Sequence, residues 1–296
     1  MTTGDRRASV GVQPHLTDRT ISVTDLAKLV AERDLASIFV CEHTHIPVAS
    51  KSFSPRGILP EWCKRIPDPY ITLATISATT GVEIGTAVAL VAEHDPIILA
   101  KVIATLDQLS GGRFVLGVGW GWNREEFESH ASVPANKRLP LLREKLEVMQ
   151  RIWADDEATY SGQYVSLKPT WSWPKPTRRA GPPVLIGATG EARNLERVTS
   201  WADGWIPMYM GLTDDSIEQF THDVATLRAM WDKAGRDPSL VDLTLLHPPD
   251  SVDGLRRALD RADALGVRRV LIQINEESLA NAESILDDTA SAVATR

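Results

Sequence analysis

The stretch RFVLGVGWGWN, residues 113–123, shows how this chain is built. Phe114–Val118 is apolar apart from one glycine and predicts a short buried strand. Gly111-Gly112 precedes it and ends an apolar helix pattern over 96–109, because glycine readily adopts the backbone conformation that closes a helix. A loop with two glycines and two tryptophans follows the strand. Helix, stop, strand and glycine-rich loop are the parts of a βα unit.

The same alternation of short apolar runs and longer amphipathic stretches repeats along the chain. The predicted strands are 8–13, 36–41, 82–91, 114–118, 184–186, 205–209, 242–246 and 270–274, and the predicted helices are 23–34, 68–80, 96–109, 139–154, 190–202, 216–234, 252–265 and 276–296. A hairpin is predicted at 158–167. Eight units is the number at which a parallel sheet closes. The sequence therefore predicts the α/β class: a single (β/α)8 TIM barrel domain over residues 1–296.

Three irregular stretches, 44–67, 119–138 and 155–183, are predicted to be insertion loops. In this fold the loops after the strands form the carboxyl-terminal mouth of the barrel, where the chemistry takes place. We therefore expect the functional site among these loops.

Composition excludes several functional classes. The 296 residues include 43% hydrophobic and 24% charged residues and carry a net charge of −7. An acidic surface argues against nucleic acid and anionic membranes as partners. No apolar run reaches the 18–20 or so residues of a membrane helix, and 1–9 lack the features of a signal peptide. With two cysteines, Cys41 and Cys63, a disulfide scaffold is not expected, so the sequence predicts a cytoplasmic protein.

Several motifs together resemble the luciferase-like monooxygenase superfamily, and within it the branch of oxidoreductases that use coenzyme F420, a deazaflavin. They are Ser37–His43, Ile84–Val88, Asp95–Lys101, Leu106–Arg113, Leu116–Phe127, Ile186–Gly190 and Ala202–Trp205. The resemblance runs from about residue 8 to 275, and its most specific strings are LSGGR (109–113) and GVGWGW (117–122). It implies an oxidoreductase with a luciferase-like barrel and a cofactor across the mouth.

The resemblance implies two catalytic residues at the end of the second strand. His43 would lie beside the reactive face of the cofactor, where an imidazole can bond the substrate or move a proton. Glu42 would contact the polar edge of the ring. The alternatives are a structural histidine and a carboxylate bonded to backbone.

Cofactor binding is predicted at three segments. The resemblance implies a non-proline cis peptide at Ala87-Val88, behind the ring. Gly119 and Trp120 belong to a loop suited to face the ring, although the tryptophan can equally pack as a lid. Gly187, Ala188, Thr189 and Gly190 join a strand to a helix, where free backbone N–H groups can hold a phosphate. Trp122 stands near the place where sugar-phosphate-oxidising relatives carry a proton-donating carboxylate, which argues against that reaction.

Other readings of the same residues stay open. FMN would use the same slot and phosphate turn, which would make the protein an FMN-dependent monooxygenase. A metal-dependent hydrolase is suggested by the spacing of His43 and His45, but the other histidines do not fall at the strand ends that such an enzyme needs. No metal is expected. A non-catalytic cofactor-binding barrel is the third alternative.

The remaining expectations concern ligands and assembly. The loop 44–67 carries Lys51, Arg56, Lys64 and Arg65, which can meet the polyglutamate tail of F420, an acidic substrate, or only solvent. The substrate is expected to be a small organic molecule whose identity the sequence does not give. Family members commonly pair through helices near the second and third strands, so a homodimer is expected.

Overall fold

The computed structural model describes residues 7–52, 59–208, 211–213, 216–275 and 278–296. Ten strands lie in this part of the chain: β1 Ser9–Pro14, β2 Ser37–Val40, β3 Glu83–Thr86, β4 Phe114–Val118, β5 Ala158–Ser161, β6 Ser166–Thr170, β7 Val184–Ala188, β8 Gly204–Pro207, β9 Asp242–His247 and β10 Arg269–Ile274. Nine α-helices lie there too: α1 Val23–Glu32, α2 Pro69–Thr79, α3 Pro96–Leu109, α4 Arg124–His130, α5 Arg138–Ala154, α6 Ala192–Trp201, α7 Ile217–Lys233, α8 Val252–Ala264 and α9 Ala282–Ala294.

Eight parallel strands close into a barrel in the order β1-β10-β9-β8-β7-β4-β3-β2. The barrel closes where β1 pairs with β10, in register from Ser9 opposite Arg269 to Pro14 opposite Ile274. β5 and β6 form a separate antiparallel hairpin. The prediction of a (β/α)8 TIM barrel is confirmed. Within the described residues, no helix is both long and apolar enough to span a membrane.

Local sequence signals set the two ends of α3, the helix that precedes β4. Asp95 caps α3, with Oδ1 accepting from the backbone N–H groups of Ile97 and Ile98, and Pro96 occupies the first turn. Gly111 and Gly112 follow with φ of 65° and 80°, in the left-handed region that ends a helix cheaply only with glycine. The chain can therefore turn at once into β4.

Two apolar layers hold the barrel. The interior is filled by one set of strand side chains, Phe39, Val115, Leu185, Ile206, Leu246 and Leu271, while a larger layer lies between the strands and the helices. The interior is tight, since a Cβ on Gly85 would lie 2.3 Å from the Phe39 ring. Such close packing makes the strands a rigid frame for the loops at their ends.

An ion-pair network closes the amino-terminal end of the barrel. The guanidinium of Arg269, which is 1% exposed, donates to Glu83 at 2.8 Å and to both carboxylate oxygens of Asp242 at 2.7 and 2.9 Å. It also donates to the Thr244 hydroxyl at 2.7 Å. Burial lowers the pKa of Arg269, but the two carboxylates outweigh that effect and raise it. Arg269 is therefore a buried, charged side chain that fills the amino-terminal end of the barrel.

Two predicted element boundaries were wrong. The third strand, predicted over 82–91, ends at Thr86, and residues 91–93 form a 3-10 turn. The apolar run reflects burial and not strand structure, since Val91 and Ala92 are buried but not extended. The predicted loop 119–138 contains α4, which Asn123 caps by accepting from the N–H of Glu126. Of the predicted sixth strand, Tyr209 lies outside the described residues, as does Glu276 of the last helix.

Candidate active site at the carboxyl-terminal mouth

The predicted site segments follow four neighbouring strands. His43 comes after β2, Ala87-Val88 after β3, Gly119 after β4, and Thr189-Gly190 after β7. Since β2, β3, β4 and β7 are adjacent in the barrel, these segments share one side of its carboxyl-terminal end.

Val88 joins the three predicted cofactor segments. A Cβ on Gly119 would lie 2.5 Å from Cγ2 of Val88, and a Cβ on Gly187 would lie 2.6 Å from its Cγ1. The peptide bond between Ala87 and Val88 is cis, as the resemblance implied. Because no side chain can stand on either glycine, half-buried Val88 presents a smooth apolar surface bordered by backbone. Such a surface fits the flat ring of a flavin or deazaflavin.

The turn after β7 is organised by a side chain that the sequence analysis did not single out. Asn194, on the first turn of α6, donates from Nδ2 to the Thr189 hydroxyl at 3.0 Å and to its carbonyl at 3.2 Å. Glu191 is the N-cap residue of α6 and makes no side-chain capping bond. Thr189 is exposed while Ala188 is buried in the end of β7. The turn thus offers a hydroxyl and an open helix start to a phosphate.

His43 is oriented by a carboxylate from a different unit. Its Nδ1 lies 2.7 Å from Oε2 of Glu126, whose side chain is 1% exposed. Oε1 of Glu126 accepts from the backbone N–H of Thr44 at 2.8 Å. With Nδ1 held by Glu126, Nε2 is the imidazole nitrogen that points away from this pair and can act on a substrate.

Two tryptophans flank the His43 imidazole. Trp122 meets it edge-on, with 5.2 Å between ring centroids, and Trp62 lies tilted at 6.4 Å. Trp62 itself stacks on His15 at 3.9 Å. Trp120 points elsewhere and packs half-buried against the outer core, which favours the lid-packing alternative for that residue. The proposed role of Trp120 in cofactor binding stays a prediction.

Glu42 is placed below the mouth. Oε2 accepts from the backbone N–H of Leu90 at 2.6 Å, and Oε1 lies 2.6 Å from Nε2 of His94. Burial acts to lower the pKa of His94, but its hydrogen bond to Glu42 and that carboxylate's charge outweigh burial and raise it. Both oxygens are therefore engaged in tying β2 to the segment after β3. These contacts favour the structural alternative, and a catalytic role for Glu42 stays a prediction.

A third glutamate, Glu93, lies near Glu42 and Glu126. Glu93 is 8% exposed, and its Oε2 is 3.8 Å from Nε2 of His130 at the end of α4. Burial, then the negative charges of Glu126 and Glu42, raise the pKa of Glu93 to about 9, against a smaller lowering effect of Lys145. Glu93 is therefore protonated at neutral pH.

The three glutamates and three histidines form a cross-connected set, which we call the Glu–His cluster. Its pairs are Glu42 with His94, Glu126 with His43, and Glu93 with His130. Each pair joins two of the units built on β2, β3 and β4. Only Glu42 and His43 are predicted from the sequence, because partners far apart along the chain cannot be inferred from spacing.

The His43-x-His45 motif does not converge on one point. His43 bonds Glu126, while Nδ1 of His45 lies 2.9 Å from the Thr44 hydroxyl. Within the ranges that the structure describes, no group of three or more His, Cys, Asp or Glu side chains is placed to hold a metal ion.

The loop after β2 is anchored to α4 by Glu125. Its carboxylate accepts from the Lys51 N–H at 2.8 Å, from the Ser50 hydroxyl at 3.2 Å and from the Ser52 hydroxyl. The hydrogen bonds from Ser52 and then Lys51 lower the pKa of Glu125 to about 2. Residues 50–52 of this loop are therefore bound to α4.

Two of the basic residues in the loop 44–67 already form ion pairs within the protein. Lys64 and Arg65 pair with Glu61, and Arg65 also pairs with Asp18. Arg56 lies outside the described residues. Contact between this loop and an acidic tail stays a prediction.

A cleft of about 710 Å³ opens at the amino-terminal end of the barrel, next to Arg269. Its charges are largely used within the protein, since Arg268 pairs with Asp242 and Arg236 donates to the carbonyls of Thr199 and Ala202. The features that fit a cofactor all lie at the other end.

Comparison with known proteins identifies the family of this chain. The family model for luciferase-like monooxygenases matches residues 5–289, and the chain belongs to this family. An uncharacterised protein of Mycobacterium tuberculosis (strain H37Rv) is 39% identical over 284 residues, which cover 94% of this chain and 95% of that protein.

Solved structures share the fold at low identity. The monooxygenase RslO1 from Streptomyces bottropensis has a TM-score of 0.78 and 18% identity, with 97% of this chain and 98% of that one covered. An F420-dependent secondary alcohol dehydrogenase, in complex with an F420-acetone adduct, has a TM-score of 0.74 and 17% identity over 97% of this chain and 99% of that one. The FMN-bound oxygenating component of 3,6-diketocamphane monooxygenase from Pseudomonas putida scores 0.65 at 16% identity, covering 85% and 70%.

The protein is thus an oxidoreductase of the luciferase-like type, a family whose members depend on F420 or FMN.

Proposed function

We propose that this chain is an F420-dependent oxidoreductase that transfers a hydride between the deazaflavin and a small organic substrate. The observation that carries the proposal is the position of His43: Glu126 orients its imidazole at the same mouth where Val88, Gly119 and Gly187 form a flat apolar surface. A proton-handling group beside a ring-shaped slot is the arrangement that hydride chemistry needs.

Each group of residues has a defined task in this proposal. Val88 supports the ring, and the turn at 187–190 binds the phosphate with the Thr189 hydroxyl and the start of α6. F420, when bound, supplies the carbon that accepts or gives the hydride. His43 takes or returns the proton of the substrate oxygen through Nε2, and the charge of Glu126 stabilises the imidazolium. Trp62 and Trp122 exclude water around it.

The choice of F420 over FMN is supported by curated relatives. F420-dependent glucose-6-phosphate dehydrogenases are among the proteins that this chain resembles, at 23–29% identity. One of them, from Nakamurella multipartita, is 26% identical over 260 residues, which cover 86% of this chain and 65% of that protein. Trp122 beside His43 leaves an aromatic surface on the substrate side, which argues for a substrate other than a sugar phosphate.

A cofactor titration tests the proposal. Purified protein is mixed with F420 and, separately, with FMN, and cofactor fluorescence is followed. Micromolar or tighter binding of F420 with weaker binding of FMN supports hydride transfer. Preference for FMN would assign the protein to the oxygen-using monooxygenases. If neither cofactor bound, that result would contradict a cofactor role for this mouth.

We infer in addition a single-domain, cytoplasmic homodimer. Ile71 on α2 and Ile98 on α3 are 72% and 67% exposed, an apolar surface on neighbouring helices that a second copy would cover. Cys41 and Cys63 form no disulfide, which agrees with a reducing compartment. Light scattering is expected to give twice the chain mass, and a value near 32.5 kDa would contradict the dimer. Ile98→Glu is expected to yield the monomer, with Leu240→Glu, at an exposed site elsewhere, as the control.

A further inference from the structure

Two glutamines that are not part of the Glu–His cluster lie side by side at the top of the barrel interior. Gln13 on β1 and Gln273 on β10 are directly opposite each other in the parallel pairing of these strands. Alternate side chains of a strand share one face, so Gln273 points inward like Leu271 and Arg269, which are 0% and 1% exposed. Gln273 itself is half-buried. Because the side chains beneath it are buried, the exposed part of Gln273 faces the carboxyl-terminal mouth.

The two glutamines are joined to the segment that we propose to support the cofactor ring. Nε2 of Gln273 donates to Oε1 of Gln13 at 2.9 Å, and Nε2 of Gln13 donates to the Ala87 carbonyl in a long bond of 3.4 Å. A carbonyl can only accept a hydrogen bond, so the Ala87 carbonyl fixes the direction of both bonds. The Gln13 side chain, which is 2% exposed, is thus engaged through its nitrogen and its oxygen. Gln273 is the member of the pair that can still bond a ligand.

Gln273 has one donor and one acceptor available at the mouth. Its Nε2 carries a second hydrogen, and its Oε1 has no hydrogen-bond partner among the residues that the structure describes. A primary amide with both groups available is complementary to a ligand edge on which a carbonyl stands next to an N–H, as in the paired bonds that glutamine makes to adenine. In a largely apolar slot, one such amide can set the orientation of the bound molecule.

The imide edge of a flavin-type ring has this chemistry. The pyrimidine end of both F420 and FMN carries two carbonyls with an N–H between them, so it presents a carbonyl beside an N–H. In the proposed function the face of the ring lies against Val88, which directly follows Ala87. Because Gln13 links the Ala87 carbonyl to Gln273, support of the ring face and recognition of its edge would come from connected residues.

We propose that Gln273 is a further cofactor-binding residue, which recognises the imide edge of the ring through a pair of hydrogen bonds. Its Oε1 accepts from the ring N–H, and its Nε2 donates to the neighbouring ring carbonyl. Gln13 is the positioning residue that holds the Gln273 amide in this orientation. The inference rests on the proposed function for the presence of a ring at this mouth, but not for the choice of F420 over FMN, since both rings carry the imide.

Methylation of the imide nitrogen tests this contact without any change in the protein. Fluorescence titration of the full chain gives the dissociation constants of the deazaflavin riboside, which has the ring but no phosphate, and of its N3-methyl analogue. The wild type is expected to bind the methylated ring about tenfold more weakly, which is the effect of about one hydrogen bond. FMN and N3-methyl-FMN form a second pair of probes.

Variants separate recognition by the amide from a steric effect of the methyl group. Gln273→Leu removes the amide at similar size, so it is expected to bind the unmethylated ring about tenfold more weakly and both rings with similar affinity. Gln13→Met removes the bond that positions the amide and is expected to reduce the preference to about threefold. Gln163→Leu, the same change at an exposed position between β5 and β6, is the control and is expected to behave as the wild type.

The possible outcomes distinguish this contact from the proposed function. Equal affinity of the wild type for the two deazaflavin rings would overturn the contact and leave the proposed function standing. A preference that persists in Gln273→Leu would also overturn the contact, because the methyl group would then clash with another part of the slot. An unchanged preference in Gln13→Met would remove Gln13 from the proposal.

The FMN probes cover the case in which the proposed cofactor is wrong. Binding of FMN but not of the deazaflavin would overturn the proposed function alone, and the preference for FMN over N3-methyl-FMN would then decide the role of Gln273. If neither ring bound, both proposals would be overturned.

Discussion

Oε2 of Glu126 and Nδ1 of His43 lie 2.7 Å apart, although the two residues follow different strands and are 83 positions apart in sequence. The contact fixes which nitrogen of the imidazole can face the substrate. It also places a negative charge where an imidazolium would form, which is the arrangement of an activated general base.

Glu126→Gln is expected to lower kcat by about a hundredfold, the low end of what a positioned acid–base group contributes, with little change in cofactor affinity. Glutamine keeps the size and one hydrogen bond but loses the charge that stabilises imidazolium. Steady-state kinetics with the first substrate found in a screen, beside a cofactor titration, measure both quantities. Glu128→Gln, on the exposed side of the same helix, is the control. An unchanged kcat would show that the pair only positions the loop.

Gly187→Ala is expected to weaken cofactor binding by about tenfold or more, because its Cβ would lie 2.6 Å from Cγ1 of Val88 and must displace the ring-supporting surface. Gly81→Ala is the matched control, since a Cβ there would have no neighbour within 4 Å. Fluorescence titration with F420 measures the dissociation constant of each. Equal affinity in both variants would place the ring elsewhere.

Glu93→Gln is expected to stabilise the protein at alkaline pH. The folded state holds the Glu93 proton up to a pKa of about 9, while the unfolded chain loses it near 4.5. In that window the folded state binds more protons, so this carboxyl makes the free energy of unfolding fall as pH rises from about 4.5 to about 9. Urea unfolding at pH 5 and pH 8.5 measures the change.

The variant and the wild type are expected to converge toward the acid end of that window and to differ most near its alkaline end. Parallel pH profiles for the two proteins would contradict a protonated Glu93.

Arg269→Met is expected to destabilise the fold by roughly 3–5 kcal/mol, because it leaves Asp242 and Glu83 without their buried counter-charge. Arg268→Met removes a neighbouring arginine whose side chain is 52% exposed and which meets the same Asp242, so its cost should stay below about 1 kcal/mol. Chemical denaturation measures both. A similar loss of stability in the two variants would mean that an uncharged side chain can replace Arg269 by packing alone.

The sequence predicted the barrel because each unit repeats a local pattern: apolar strands, capped helices and glycines at the stops. Asp95-Pro96 and Gly111-Gly112 mark α3 correctly without any tertiary information. The same local pattern failed at 87–91, where the regular strand ends at Thr86 although the residues are apolar and Ala89 keeps a single bridge to Val118. Apolar composition records burial, and the backbone conformation there depends on neighbours from β4.

The candidate site was predicted only in part, for the same reason. His43, Val88 and Gly187 were predicted from family motifs, and their roles stay predictions. Glu126 and Glu93 were missed, since their partners lie 83 and 37 positions away. One local signal was available: Asn123 followed three residues later by Glu126 is the pattern of a helix start, and it would have placed α4 and its carboxylate inside the supposed loop.

All six residues of the Glu–His cluster fall between positions 42 and 130, whereas the phosphate turn begins at 187. The residues that we propose to handle protons and the turn that we propose to bind phosphate are therefore encoded in separate halves of the gene. A chimaera that joins residues 1–154 of this chain to the second half of another family member would inherit the whole Glu–His cluster. Its turn after β7 would come from the other family member. Recombination between relatives can in this way exchange the turn after β7, while the Glu–His cluster is inherited together with Val88 and Gly119.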